Sequence, residues 1–130
     1  MGDLLVDTDV FADHLRGTRE LRAGDDSIAY SVITRAELFA GRAEREDEVD
    51  RLLGPFRELE VERDIAERAG QLHRETGVRL RDALIAATAL RYRRTLVTGN
   101  GQAFASVPNL DVSEPATAAP SPSAPAESSR

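Results

Sequence analysis

The sequence contains no cysteine, no tryptophan and no lysine, and all 17 of its basic residues are arginine. Without cysteine there is no disulfide framework, no thiolate nucleophile and no Cys-based zinc or iron–sulfur site. Without lysine there is no Schiff-base lysine, no P-loop lysine and no Ser–Lys dyad. No apolar run approaches the ~20 residues of a membrane span, and the N-terminus lacks a basic segment followed by a secretory apolar stretch. A cytoplasmic protein that does not engage a membrane is expected. Aromatic residues are few, two Tyr and four Phe, so base stacking has few candidates.

What is present fits one soluble domain: 130 residues, 41% hydrophobic and 31% charged, with a formal net charge of −6. Charge is uneven, with ten acids against five Arg in residues 40–67 and seven Arg against two acids in residues 68–98. That balance disfavours avid, non-specific nucleic-acid binding and permits local phosphate contact near the Arg-rich segment. From Ser113 onward the chain is Pro, Ala and Ser-rich without a large apolar side chain. A folded domain over residues 1–112 and a disordered tail over 113–130 are therefore expected.

Within the domain, strand-like and helix-like patterns alternate. Leu4-Leu5-Val6 reads as a strand feeding a helix over Val10–Leu15, and Ser27–Ile33 as a buried strand feeding a helix over Thr34–Phe39. Arg42–Leu53 reads as an exposed helix stopped by Gly54-Pro55, and Leu59–Val61 as a short strand. An amphipathic helix spans Arg63–Glu75, and a nearly all-apolar one spans Asp82–Leu90. Strands at Thr95–Thr98 and Asn109–Val112 complete the pattern. The alternation predicts an α/β fold, a three-layer α/β/α sandwich with a mainly parallel central sheet.

Ligands of such sheets bind beyond the carboxyl ends of the strands. Asp7, Glu37, Asp82 and Asn100 all follow strands or open helices on what should be one edge. Each also has a plainer reading: Asp7 or Thr8 as a helix cap, Thr34-x-x-Glu37 as a capping box, Asp82 as an N-cap, Gly99-Asn100-Gly101 as a turn. Jointly, three convergent carboxylates would repel one another in a low-dielectric cleft unless a cation or protons intervened. Mg²⁺ suits oxygen ligands, with Asp7 and Asp82 as direct ligands and Glu37 and Asn100 orienting waters or a second ion.

In order and spacing, Leu4-Leu-Val-Asp7-Thr-Asp-Val, Ser31-Val-Ile-Thr-Arg-Ala-Glu37-Leu-Phe-Ala-Gly, Arg81-Asp82-Ala-Leu-Ile-Ala-Ala-Thr-Ala and Leu96-Val-Thr-Gly-Asn100 resemble the PIN-domain ribonucleases, in particular the VapC toxins. The resemblance implies a Mg²⁺- or Mn²⁺-dependent endoribonuclease, a homodimer, and a cognate VapB-like antitoxin that blocks the active site. It places Asp7, Glu37 and Asp82 in the acidic triad. Asn100 stands at a fourth position that is often Asp, which weakens the case for a second metal.

Thr8, Thr34 and Thr98 flank the site as supporting hydroxyls, and Asp9 joins it if the first helix begins tightly. Arg79 and Arg81 are the expected contacts to RNA phosphate at the rim, with single-stranded or looped RNA as the target. His14 and His73 have no ligand spacing. Two alternatives compete: a haloacid-dehalogenase-like phosphatase using Asp7-Thr-Asp9, set back by the absent lysine and the lack of a late acidic pair, and a degenerate PIN-fold module that only binds a partner.

Overall fold

The computed structural model describes residues 2–115. Five strands form one all-parallel sheet: β1 (Asp3–Val6), β2 (Ser27–Ser31), β3 (Arg57–Leu59), β4 (Thr95–Val97) and β5 (Val112–Ser113), in the order β3-β2-β1-β4-β5. The helices are α1 (Thr8–Arg16), α2 (Val32–Phe39), α3 (Glu46–Leu53), α4 (Arg63–Thr76) and α5 (Leu80–Tyr92). The expected α/β sandwich is the observed one.

The sheet is apolar on both faces because successive side chains alternate sides and helices cover each side. Leu5, Ala29 and Leu96 face a core built with Ile65, Ala69 and Leu72 of α4 and Ala83, Ile85, Ala86, Ala87 and Ala89 of α5. Their neighbours Val6, Ile28, Tyr30 and Val97 face the opposite core, with Val10 and Phe11 of α1 and Val49 and Leu53 of α3. The alanines of α5 keep its backbone close to the sheet, and Thr88 returns its hydroxyl to the Leu84 carbonyl at 2.8 Å. One polar side chain thus crosses the apolar helix at no cost in unpaired groups.

Several boundaries differ from the sequence reading. The second strand stops at Ser31, whose hydroxyl accepts from the Ile33 amide at 3.0 Å and caps α2. Thr34 consequently lies inside α2, and the expected capping box with Glu37 does not form. The exposed helix of residues 42–53 is broken into a 3-10 turn, Ala43–Arg45, followed by α3. The third strand falls two residues early, and the last lies at Val112–Ser113, just across the expected domain end at 112. Residues 116–130 of the expected disordered tail lie outside the described residues.

Candidate active site

In an all-parallel sheet every strand delivers its C-terminal end to one edge. From central β1 the chain runs outward to β2 and β3 on one side and later to β4 and β5 on the other, so the ends of β1 and β4 form the switch point at which ligands of such sheets bind. Asp7 follows β1 at that point, and Thr98 to Asn100 follow β4.

Asp7 is almost fully buried and multiply bonded. Its amide donates to the Val97 carbonyl at 2.9 Å, its Oδ1 accepts from the Thr8 amide at 2.8 Å as the cap of α1, and its Oδ2 accepts from the Thr98 hydroxyl at 3.0 Å. The Thr98 oxygen in turn accepts from the Asn100 amide at 3.1 Å. The capping role and a place in the acidic cluster therefore coexist in one carboxylate.

Glu37, on α2, and Asp82, in the first turn of α5, reach the same place. What joins the three acids is Arg81. Its Nε and Nη2 donate to the two oxygens of Glu37 at 2.8 and 2.6 Å, Nη2 donates to Asp7 Oδ1 at 2.7 Å, and Nη1 donates to Asp82 Oδ1 at 2.8 Å. Nη2 also lies 3.0 Å from the Thr8 hydroxyl, whose own proton goes to Glu37. Thr34 Oγ1 stands 2.9 Å from Thr8 Oγ1 and is wholly buried.

A divalent ion is not needed to make the crowded carboxylates tolerable, because a guanidinium already lies among them. In this structure Arg81, expected as a contact to RNA phosphate, spends its donors on Glu37, Asp7 and Asp82. Asp82 is also not the N-cap of α5; that position belongs to Arg79, whose side chain is exposed and outside the cluster.

Hydrogen bonds from Arg81 hold the Glu37 carboxyl below its ordinary range, against the opposing effect of burial and with help from Thr8. Burial disfavours the charge on Arg81, but its bonds to Glu37 and Asp7 outweigh this and raise its pKa further.

Asp9 sits at the margin. Its Oδ2 accepts from the Gly99 amide at 2.9 Å, while its Oδ1 is buried without a partner among the described residues. Burial first, and then the charge of Asp7, push its pKa up, partly offset by the Gly99 bond. Gly99, read in the sequence only as part of a turn, lies close against this acid; a Cβ there would stand 2.8 Å from Asp9 Oδ2. Asn100 is exposed, and its side chain makes no hydrogen bond among the described residues, so only its backbone is tied to the cluster.

Among the described residues no three acidic or imidazole side chains stand at metal-chelating spacing. The two histidines serve loops: His14 Nδ1 accepts from the Leu21 amide at 3.0 Å, and His73 Nδ1 pairs with the Val78 carbonyl at 2.8 Å. None of the described helices is long and apolar enough to cross a membrane.

Comparison with known proteins agrees with this architecture. A family model described as the PIN domain matches residues 4–110. A toxin–antitoxin complex from Klebsiella pneumoniae contains a chain 33% identical, with a TM-score of 0.72, covering 82% of this chain and 94% of its own. VapBC2 from Rickettsia felis, bound to a promoter DNA fragment, gives 24% identity and a TM-score of 0.75 over 86% of this chain and 98% of that one. VapBC-1 from nontypeable Haemophilus influenzae gives 20% and 0.71 over 86% and 97%. A search of curated proteins found no match. The phosphatase alternative gains nothing from these likenesses, and Asp9, its would-be acid–base partner to Asp7, is instead bonded to the Gly99 amide. With the match spanning nearly the whole described domain, the chain belongs to the PIN-domain family.

Proposed function

We propose that this chain is a divalent-metal-dependent endoribonuclease and the toxin of a toxin–antitoxin pair. The observation that carries the reading is the convergence of Asp7, Glu37 and Asp82, from three distant elements, on one cationic group at the switch crevice. The donor set is wholly oxygen, as Mg²⁺ or Mn²⁺ prefers, so its chemistry suits such an ion, although with Arg81 among them the carboxylates stand outside chelating spacing. When bound, the ion supplies Lewis-acid polarisation of the phosphodiester and stabilises the charge that develops on it.

The protein's own residues do the rest. Asp7 and Asp82 would hold the ion, and Thr98 fixes the rotamer of Asp7 through Oδ2. Glu37, ionised at neutral pH, would orient a water and accept its proton once Arg81 turns aside; Thr8 holds its Oε1, and Thr34 in turn contacts Thr8. Asn100 presents an exposed neutral amide to substrate, which suits a single ion better than two. Arg79, exposed at the start of α5, offers a guanidinium to RNA phosphate. Single-stranded or looped RNA enters an open crevice more readily than a duplex.

The described relatives are solved as complexes of toxin with antitoxin, which supports a VapB-like partner for this chain. A homodimer completes the proposal and is testable by light scattering at micromolar concentration.

The decisive cellular experiment is sequencing of RNA ends after induction of the protein, with Asp7→Ala as control. New ends at recurring positions, absent in the control, are expected. No new ends from a folded protein, or the same ends from Asp7→Ala, would overturn the nuclease reading and favour a domain that only binds a partner.

A further inference from the structure

Arginine is electrostatically misplaced in the first turn of a helix, where the macrodipole is positive and acids are favoured. Arg81 is the second residue of α5, directly before Asp82. Its side chain nevertheless points into the cluster and makes bonds of 2.6 to 2.8 Å to three carboxylates, with a fork on Glu37. Charge-assisted and forked bonds of this kind are the strong ones. The Arg81 side chain is 31% exposed, against 5% for Asp7 and 14% for Asp82. Glu37 is 35% exposed, so the guanidinium lies between two more buried acids and one that is itself partly open to solvent.

We propose that Arg81 is an internal counter-cation that latches the acidic site in the metal-free protein, and that a divalent ion binds by exchange with its guanidinium. The inference rests on the nuclease reading above and adds a residue that controls access to its site. Three formal negative charges face a single positive one in the latched state, so the cluster still attracts a divalent ion. A guanidinium is a plane broad enough to bridge three carboxylates at hydrogen-bond range, which explains why they are not at chelating spacing while it is there.

An ion that binds only the unlatched state sees its affinity reduced by the fraction of molecules unlatched. Unlatching leaves the fork at the mouth of the crevice, where a substrate phosphate offers the same planar pairing that Glu37 offers in the metal-free state. One residue thus exchanges an internal anion for an external one.

Calorimetric titration of the full chain with Mn²⁺, comparing wild type with Arg81→Gln, tests this. Arg81→Gln should bind Mn²⁺ about tenfold more tightly or better, the factor expected if about nine molecules in ten are latched. Its melting temperature without metal should fall, and its Mn²⁺-induced rise should exceed that of wild type. Equal or weaker binding in Arg81→Gln overturns the latch while leaving the nuclease reading in place. Failure of both proteins to bind Mn²⁺ overturns both.

A measurement on the wild type removes dependence on the variant's folding. The Arg81 Nε–H signal in an NMR spectrum, assigned by its loss in Arg81→Lys, should be protected from exchange without metal because it is held by Glu37 Oε2. Saturating Mg²⁺ should move it and abolish that protection. A signal that Mg²⁺ saturation leaves unchanged contradicts the exchange.

Discussion

Replacing Thr98 by Val tests how the buried end of the site is held. Thr98 is fully buried and its hydroxyl makes two bonds, donating to Asp7 Oδ2 at 3.0 Å and accepting from the Asn100 amide at 3.1 Å. Valine keeps the shape and removes both. The lost donor leaves a carboxylate oxygen of a residue only 4% exposed short of a partner, which costs about 1.5–3 kcal/mol for a bond to a charged group. The Asn100 amide is near solvent and recovers a water, so its loss adds little.

The expected destabilisation is about 2–3 kcal/mol, or roughly 8–12 °C in Tm for a domain of this size. Thr98→Ser keeps both bonds and loses one buried methyl, about 1 kcal/mol. Urea and thermal unfolding of the three proteins at pH 7 provide the comparison, and Mn²⁺ titration should show weaker binding in Thr98→Val through the loosened Asp7 carboxylate. A Val variant within about 0.5 kcal/mol of wild type, or a Ser variant as damaged as Val, would refute the assigned role of the hydroxyl.

Other expectations follow from the same geometry. Gly99→Ala places a Cβ against Asp9 Oδ2 and breaks the bond between the β1 and β4 loops; it should cost about 1–2 kcal/mol in urea unfolding and shift the Asn100 amide resonance. Ser31→Ala removes the cap of α2 and should cost about 1 kcal/mol, measured the same way. The Glu37 carboxyl has a folded pKa lowered from its ordinary 4.5, so its contribution to stability is full above that value and lost as pH falls through the folded pKa. Glu37→Gln should therefore be less stable than wild type at pH 7, with the gap shrinking as pH falls below 4.5 through the folded pKa. Partial exposure of this side chain keeps that pH-dependent part below about 1 kcal/mol.

Much of the fold was legible because its apolar runs are short, separated by breakers, and paired with helical stripes. Leu4–Val6, Ile28–Tyr30 and Leu96–Val97 carry apolar side chains on both faces, as strands between two helical layers must. The alanine-rich stretch after Asp82 could only be a covered helix. Boundaries were less legible where local signals competed. Ser31 and Thr34 both offer a hydroxyl for capping, and burial of the strand end selects Ser31. Two-residue β5 depends on pairing with Leu96 and Val97, which no local pattern announces.

The positions of Asp7, Glu37 and Asp82 were readable because each follows a strand or opens a helix on the edge that parallel topology defines. The place of Arg81 was not. Spacing says that it neighbours Asp82, but only the crossing of α2 and α5 over the crevice decides that it points at Glu37 and Asp7. A basic residue at the wrong end of a helix dipole was the available signal. Asn100 shows the opposite case, a residue whose sequence position suggested a part in orienting waters and whose side chain is exposed and makes no hydrogen bond among the described residues.

The central claim is that Asp7 and Asp82 hold a divalent ion, with Glu37 beside it, for RNA cleavage. Cleavage of labelled single-stranded RNA by the purified protein, followed across a Mn²⁺ titration beside Asp7→Asn, tests it most directly. Cleavage that is absent in chelator, rises and saturates with Mn²⁺, and is lost in a folded Asp7→Asn is the predicted result. Cleavage that persists in chelator, or that Asp7→Asn retains at every Mn²⁺ concentration, would contradict it.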